Sequence, residues 1–383
     1  MKRLLVLCLA VILFAAAPMP VYARTGSAAA GAQVTEIIDL IMSRYVGGPV
    51  TVDELLEAAL RGIADALDDY SVYFSAAELE QFMGGLTGRR VGIGVSMAVR
   101  YDGRIEISRV FPNSPAERAG VLPGDIFVTV DGNDTYGMTT GEIAAIVTNP
   151  DTERTNITFE RDGLLVTFDI LKEDFRFPTV MMEDLEGMPE AQGLYGLNEF
   201  RYLHIDRMGP DTGNDLRQAI SQMQSEGVQG IILDLRSNAG GYLDVTVDIA
   251  NQLVPAGVVL QTVNRVGRRS TYSSTLQEVP FDNVIVLVNR FTASAAEVIA
   301  SALQDSGAAV IIGETTYGKG SVQSFHGLRT GGAMRLTTEE YFRRNGGTIN
   351  GVGVEPCISI PRRLGPEEPD HVLRRGMEIL VGN

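Results

Sequence analysis

The sequence predicts an α/β multidomain protein, on three observations. From about residue 200 onward, apolar strand-length runs alternate with helix-length segments. Between residues 88 and 171 the texture changes to short strands of alternating polarity separated by turn residues. Residues 34–86 place apolar side chains at three- and four-residue spacing, the period of a helix. The expected organisation is a leader (1–23), an N-terminal helical region (24–87), an inserted β-rich domain (88–171) and an α/β core with a C-terminal segment (172–383).

Lys2 and Arg3, the apolar run 4–17 and "PMPVYA", with Val21 and Ala23 at small-residue cleavage positions, read as a secretory signal with Arg24 as the mature start. The run is shorter than the roughly 20 residues of a spanning helix, and left uncleaved it would tether the protein to a membrane. The expected location is therefore extracytoplasmic: periplasmic, secreted, or held at the outer face of the cytoplasmic membrane. Cys8 lies inside the run, so Cys357 is the one cysteine after cleavage and no internal disulfide can form. Stability must come from a packed core. With 48 acidic against 32 basic residues and a net charge of −16, nucleic acid is excluded as a partner.

Within the helical region, Thr51 and Glu54 form a candidate capping box, and "GGP" breaks the pattern before it. The β-rich domain runs through "GIGVSMAV", "RIEISRV" and "IFVTVDG", is interrupted by a helix at "TTGEIAAIVTN", and closes with a hairpin around Asp162 and Gly163. The core then reads "FRYLHIDRM", helix 211–226, "GIILDLR", helix 242–253, "VVLQTV", "NVIVLVN", helix 294–305, "AAVIIGE". This alternation implies a largely parallel buried sheet, whose ligand sites collect where strands end and helices begin. The junctions "DLRSNAGGY" and "VNRFTASAAE" are such places.

Lysine is scarce: Lys2, Lys172 and Lys319 are the three in the chain. Lys319 sits in "GETTYGKGSVQ". Arginine stays protonated at any accessible pH, whereas a buried lysine can lose its proton, so Lys319 is a candidate general base. Lys172 lies outside every motif and shows that scarcity alone is no evidence. Ser294 opens a helix after an apolar strand. "SAAE" is also a ready capping box, and most serines at helix starts are only caps. Lys319, 25 residues on and one strand away, changes that weighing, because a serine with a lysine base is an established nucleophilic pair. "GETTYGKG" is a near miss to a phosphate-binding loop, but Gly320 stands where a magnesium-binding Ser or Thr is needed. His204, His326 and His371 are scattered and lack metal-ligand spacing. His204, in an apolar strand, reads as structural. A triad through His326 would leave Lys319 and its glycines without a role.

The stretch "SPAERAGVLPGDIFVTVDG", preceded by "GIGV", resembles a PDZ domain, which adds a peptide strand to a sheet edge and takes the terminal carboxylate on loop amides. Gly92, Ile93, Gly94 and Val95 would form that loop; the competing reading is that these glycines only relieve crowding at a bulge. Together with "VNRFTASAAEVIASALQD", "IGETTYGKGSVQ", "GIILDLRSNAGGYL", "DDYSVYF" and "GTINGVGVEPCISI", it resembles the carboxyl-terminal processing peptidases, or tail-specific proteases, over nearly the whole mature chain. The resemblance implies a ClpP/crotonase-like serine peptidase core, with Ser294 as nucleophile, Lys319 as base and Gln323 orienting it. It also implies an oxyanion hole from the amides of Gly240 and Ala295, protein or peptide substrates with free C-termini, a homo-oligomer, and no metal or organic cofactor. Departures from the family pattern fall at Ala296 and Thr315, neither a catalytic position, and at Cys357, which reads as a local packing change. The alternative from another class is a noncatalytic PDZ scaffold or chaperone that captures C-termini.

Overall fold

The structure is a computed structural model that describes residues 26–87, 89–100, 102–329, 331–361 and 370–382. The expected signal lies outside the described residues. Two compact units divide between Leu67 and Asp68. In the first, α1 (Ser27–Arg44) packs on α2 (Val52–Asp65). Thr51 and Glu54 form the capping box at α2: the Thr51 N–H donates to the Glu54 carboxylate at 2.8 Å, and the Glu54 N–H donates to the Thr51 hydroxyl at 3.2 Å.

The second unit opens with β1 (Val72–Phe74) and α3 (Ala76–Thr87) and continues into the β-rich module. There β2 (Arg89–Gly92), β3 (Val95–Val99), β4 (Ile105–Val110), α4 (Pro115–Ala119), β5 (Ile126–Val130), β6 (Asn133–Asp134), α5 (Thr140–Val147), β7 (Arg154–Arg161), β8 (Leu164–Leu171) and β9 (Glu173–Arg176) follow in turn. The main sheet runs β3-β4-β5-β7-β8, so β3 is an edge strand, while β2 pairs with β9. Ile107, Ile143, Ile157 and Phe159 are fully buried at its centre. The hairpin β7–β8 turns on Asp162 (φ 51°) and Gly163 (φ 76°), both left-handed, as a two-residue type I′ turn demands.

The core follows with β10 (Val180–Asp184), β11 (Phe200–Ile205), α6 (Thr212–Ser225), β12 (Gly230–Asp234), α7 (Leu243–Leu253), β13 (Gly257–Asn264), β14 (Arg269–Ser274) and β15 (Asn283–Val288). It ends with α8 (Ala295–Asp305), β16 (Val310–Gly313), β17 (Ser321–Gly327), β18 (Ala333–Arg343), β19 (Ile358–Ser359) and α9 (His371–Leu380). One sheet has the order β10-β11-β12-β15-β16-β19, parallel except for β10. Alternate residues of its central strands feed two cores. Ile231, Leu233, Val284, Val286 and Val288 join the cluster built with α6, α7 and α8. Ile232, Ile285 and Leu287 join the one built with α9. Burial on both faces explains why these strands read as unbroken apolar runs.

One strand is placed differently from its reading in the sequence. "VVLQTV", β13, joins an antiparallel sheet of order β1-β18-β13-β14, with β17 on β18. It turns back directly into β14, which a parallel strand cannot do. The positive φ of Gly163 is its only demand, since a Cβ there meets nothing within 4 Å. Gly163→Ala is expected to cost about 1 kcal/mol in urea unfolding; a loss of several kcal/mol would show the turn to be packed as well as bent.

Candidate active site

Three loops meet at the C-terminal ends of the neighbouring strands β12, β15 and β16, which run parallel in register. The loop after β12 carries Asn238 and Gly240, the turn after β15 carries Ser294, and the loop after β16 carries Lys319.

Ser294 has φ 58° and ψ −122°, a region that side-chain-bearing residues avoid. The capping residues Thr51, Ser114 and Thr139 instead sit in the extended region, with φ between −99° and −79°. Capping alone does not require this strain. The surrounding hydrogen bonds impose it. The Thr292 hydroxyl donates to the Leu235 carbonyl at 2.9 Å, the Ala293 N–H to the Asn238 carbonyl at 2.9 Å, and the Tyr317 N–H to the Thr292 carbonyl at 2.9 Å.

Glu297, in the first turn of α8, is fully buried. Its Oε2 accepts from the Ser294 N–H at 2.8 Å and from the Lys319 N–H at 2.8 Å. Its Oε1 accepts from the Gly318 N–H at 2.7 Å and from the Thr316 hydroxyl. One carboxyl group therefore ties the serine turn to the lysine loop. The same loop is held from β18, where the Tyr341 hydroxyl donates to the Lys319 carbonyl. Burial pushes the Tyr341 phenol up, and the Ser294 side chain acts on it in the opposite sense.

The Lys319 amine is held below the ordinary lysine range by burial first and by the Arg335 charge second, while Glu297 works the other way. Its Nζ rests 5.0 Å from the centre of the Tyr70 ring. Burial and a hydrogen bond with Tyr317 push the Tyr70 phenol up to about 12. Among the described residues, no hydrogen bond joins Lys319 Nζ to Ser294 Oγ or to Gln323. Gln323 instead donates to the Ser321 hydroxyl at 2.8 Å and the Thr337 hydroxyl at 3.3 Å.

Gly240 (φ 92°) lies against the serine turn: a Cβ there would stand 2.8 Å from both Ser294 Cβ and Ala295 N. Its N–H donates to Asn238 Oδ1 at 2.8 Å. Asn238, fully buried, also donates from Nδ2 to the Ile205 carbonyl at 2.8 Å, which fixes the loop to β11.

Gly92, Ile93, Gly94 and Val95 line a separate cavity of about 400 Å³ beside edge strand β3 and the end of α5. Crowding is real as well: a Cβ on Gly94 would meet Ser114 Cβ at 2.4 Å. Phe177, Met181 and Arg207 of the core complete the cavity wall.

Sequence reasoning treated Glu297 only as a cap, and it did not single out Asn238, Tyr341, Tyr70 or Arg335. The signal for Glu297 was present: an acid inside "ASAAEVIASAL", with small or apolar residues on every side of the helix.

A model of peptidase family S41 matches residues 199–360, and a PDZ domain model matches residues 106–161. The carboxy-terminal-processing protease of Bartonella bacilliformis is 30% identical over 361 residues, covering 92% of this chain and 78% of that protein. Carboxy-terminal processing protease CtpB of Bacillus subtilis is 28% identical over 343 residues, covering 88% and 68%. Among solved structures, the photosystem II D1 C-terminal processing protease aligns over 90% of both chains with TM-score 0.53 and 26% identity. A putative S41 protease from Bacteroides fragilis shares the fold, with TM-score 0.59, 18% identity and coverage of 91% and 97%.

A residue that only capped α8 would cost about 1 kcal/mol on removal. Glu297→Gln places an amide against buried donors and is expected to cost roughly 3 kcal/mol in urea unfolding. A loss near the capping value would show that the four hydrogen bonds do not act together.

Proposed function

The chain belongs to peptidase family S41, among the carboxy-terminal processing proteases, and we propose that it is an exported endopeptidase that cuts protein substrates near their C-terminus with a Ser294 and Lys319 dyad. The observation that carries this reading is the Glu297 carboxyl group, which binds the strained serine turn and the loop of a half-buried, pKa-lowered lysine to one point. Ser294 is the nucleophile. For reaction, Lys319 Nζ leaves the Tyr70 ring and comes within hydrogen-bond reach of Ser294 Oγ, with Gln323 turning from Ser321 to orient it.

Neutral Lys319 then takes the Ser294 proton as Oγ attacks the scissile carbonyl. The oxyanion is received by the Ala295 and Gly240 N–H groups, the latter released from Asn238 Oδ1. Collapse expels the amine, which takes the proton from the Lys319 ammonium. Water, deprotonated by the same lysine, resolves the acyl-enzyme. The substrate tail lies along edge strand β3, with its carboxylate at the amides of residues 92–95, and helix α5 flanks it.

The wider proposal is a ClpP/crotonase-like core that works without metal or organic cofactor, in a homo-oligomer outside the cytoplasm. Residues 1–23, read as a signal, support the location.

Lys319→Arg keeps the charge and removes the neutral base, so turnover of an unfolded protein substrate is expected to fall at least about a thousandfold, with the fold intact. Substantial residual activity would overturn the dyad. Because neutral lysine is the active form and its pKa is lowered, activity is expected to rise with pH along a limb centred below the ordinary lysine value of 10.5. A falling or flat profile across that range would exclude Lys319 as base.

A further inference from the structure

Arg335 is a cation set among aromatic rings. It lies on β18 opposite Val72 of β1, and its Nε donates to the Tyr70 carbonyl at 3.0 Å. The guanidinium carbon stands 5.5 Å from the centre of the Phe74 ring and 5.4 Å from that of Phe82. Phe325, its register partner on β17, packs on both rings and completes an aromatic cage. Among the described residues Arg335 forms no ion pair, whereas Arg161, Arg236 and Arg343 are each held by a buried carboxylate. The Asp68 charge reaches it, but that carboxylate is occupied by the Tyr70 and Ser71 N–H groups and by the Ser71 and Thr337 hydroxyls. Aromatic faces offset only part of the cost of burying a cation.

Tyr70 touches two basic side chains, Arg335 and Lys319. Its carbonyl accepts from Arg335, and its ring faces Lys319 Nζ. We propose that Arg335 is a positioning residue for the reaction, a guanidinium caged against Tyr70, the residue on which the Lys319 amine rests, and that its fixed charge adds to burial in disfavouring the lysine ammonium. The proposal rests on the reading of Lys319 as base.

The other groups that face Lys319 do not supply this effect. Glu297 from α8 favours the ammonium. The face of Tyr70 also favours a cation. Tyr341 from β18 holds the Lys319 carbonyl, and Tyr317 of its own loop bonds Tyr70; a phenol bears no positive charge that could repel the ammonium. Burial and Arg335 lower the lysine, in that order. Arginine suits the task because it cannot relieve the repulsion by shedding its own proton.

The scarcity of lysine makes a direct test available, since the whole sequence has three. Protein labelled with ¹³C at lysine Cε is titrated by NMR, with the Lys319 signal assigned from its loss in Lys319→Arg. Lys172, whose amine donates to the Asn149 carbonyl and the Thr152 hydroxyl, serves as internal reference for an intact fold. In Arg335→Gln and Arg335→Met the Lys319 midpoint is expected to rise by on the order of one pH unit. The ascending limb of kcat/KM should move with it. An unmoved Lys319 midpoint in Arg335→Gln overturns the proposal, even if activity falls, because a merely structural role lowers activity without moving the titration. The dyad fails by a different result, persistent turnover in Lys319→Arg, so the two failures are distinguishable.

Discussion

The Glu297 carboxyl group is where two separately formed loops become one site. Taking a carboxylate fully out of water is costly, and the cost is offset only when every lone pair finds a donor. Here the donors come from both sides: the Ser294 N–H from the serine turn, and the Gly318 N–H, the Lys319 N–H and the Thr316 hydroxyl from the lysine loop. Neither loop can move away alone without stranding buried polar groups on the other. The position of Glu297 in the first turn of α8 adds the favourable field of a helix N-terminus. The strained backbone of Ser294 persists because its surroundings determine it from several directions.

The rest of the architecture delivers these parts to one edge. Strands β12, β15 and β16 are parallel neighbours, so the loops that leave their C-terminal ends emerge side by side. Buried on both faces, they form a rigid base for the loops. The antiparallel sheet supplies the remaining wall. The segment 68–74 pairs with β18 and brings Tyr70 to the lysine, and the same strand contributes Arg335 and Tyr341. The PDZ domain meets the core at Met181 and Arg207, where the cavity beside β3 is completed. Arg207 is followed by Met208, whose N–H donates to the Gly240 carbonyl at 3.0 Å, so a short stretch of backbone spans from that cavity to the loop beside the serine turn.

Much of this was legible in the chain. Continuous apolar runs in β12 and β15 announced the parallel sheet. Asp162 with Gly163 announced the hairpin, and Thr51 with Glu54 the cap of α2, because each is a local pattern with a local physical cause. The nearness of Ser294, Ala295 and Gly240 was implied by the family resemblance, and the parallel pairing of β12 with β15 supplies its physical reason. What stayed hidden depends on contacts distant in sequence. β13 has the look of a parallel strand until its partner β18, some 80 residues later, is seen. The cage around Arg335 assembles Phe74, Phe82 and Phe325 from three separate elements. The resting place of Lys319 Nζ on Tyr70 is a matter of rotamers, which no spacing rule reports.

If one carboxyl group makes the two loops a single unit, their amides must open together. Native-state hydrogen exchange at the Ser294, Gly318 and Lys319 N–H groups measures this directly. The expected result is one shared opening free energy for all three, lowered together in Glu297→Gln. Exchange of Gly318 and Lys319 orders of magnitude faster than Ser294, or a Glu297→Gln effect confined to one loop, would contradict the coupling on which the proposed site depends.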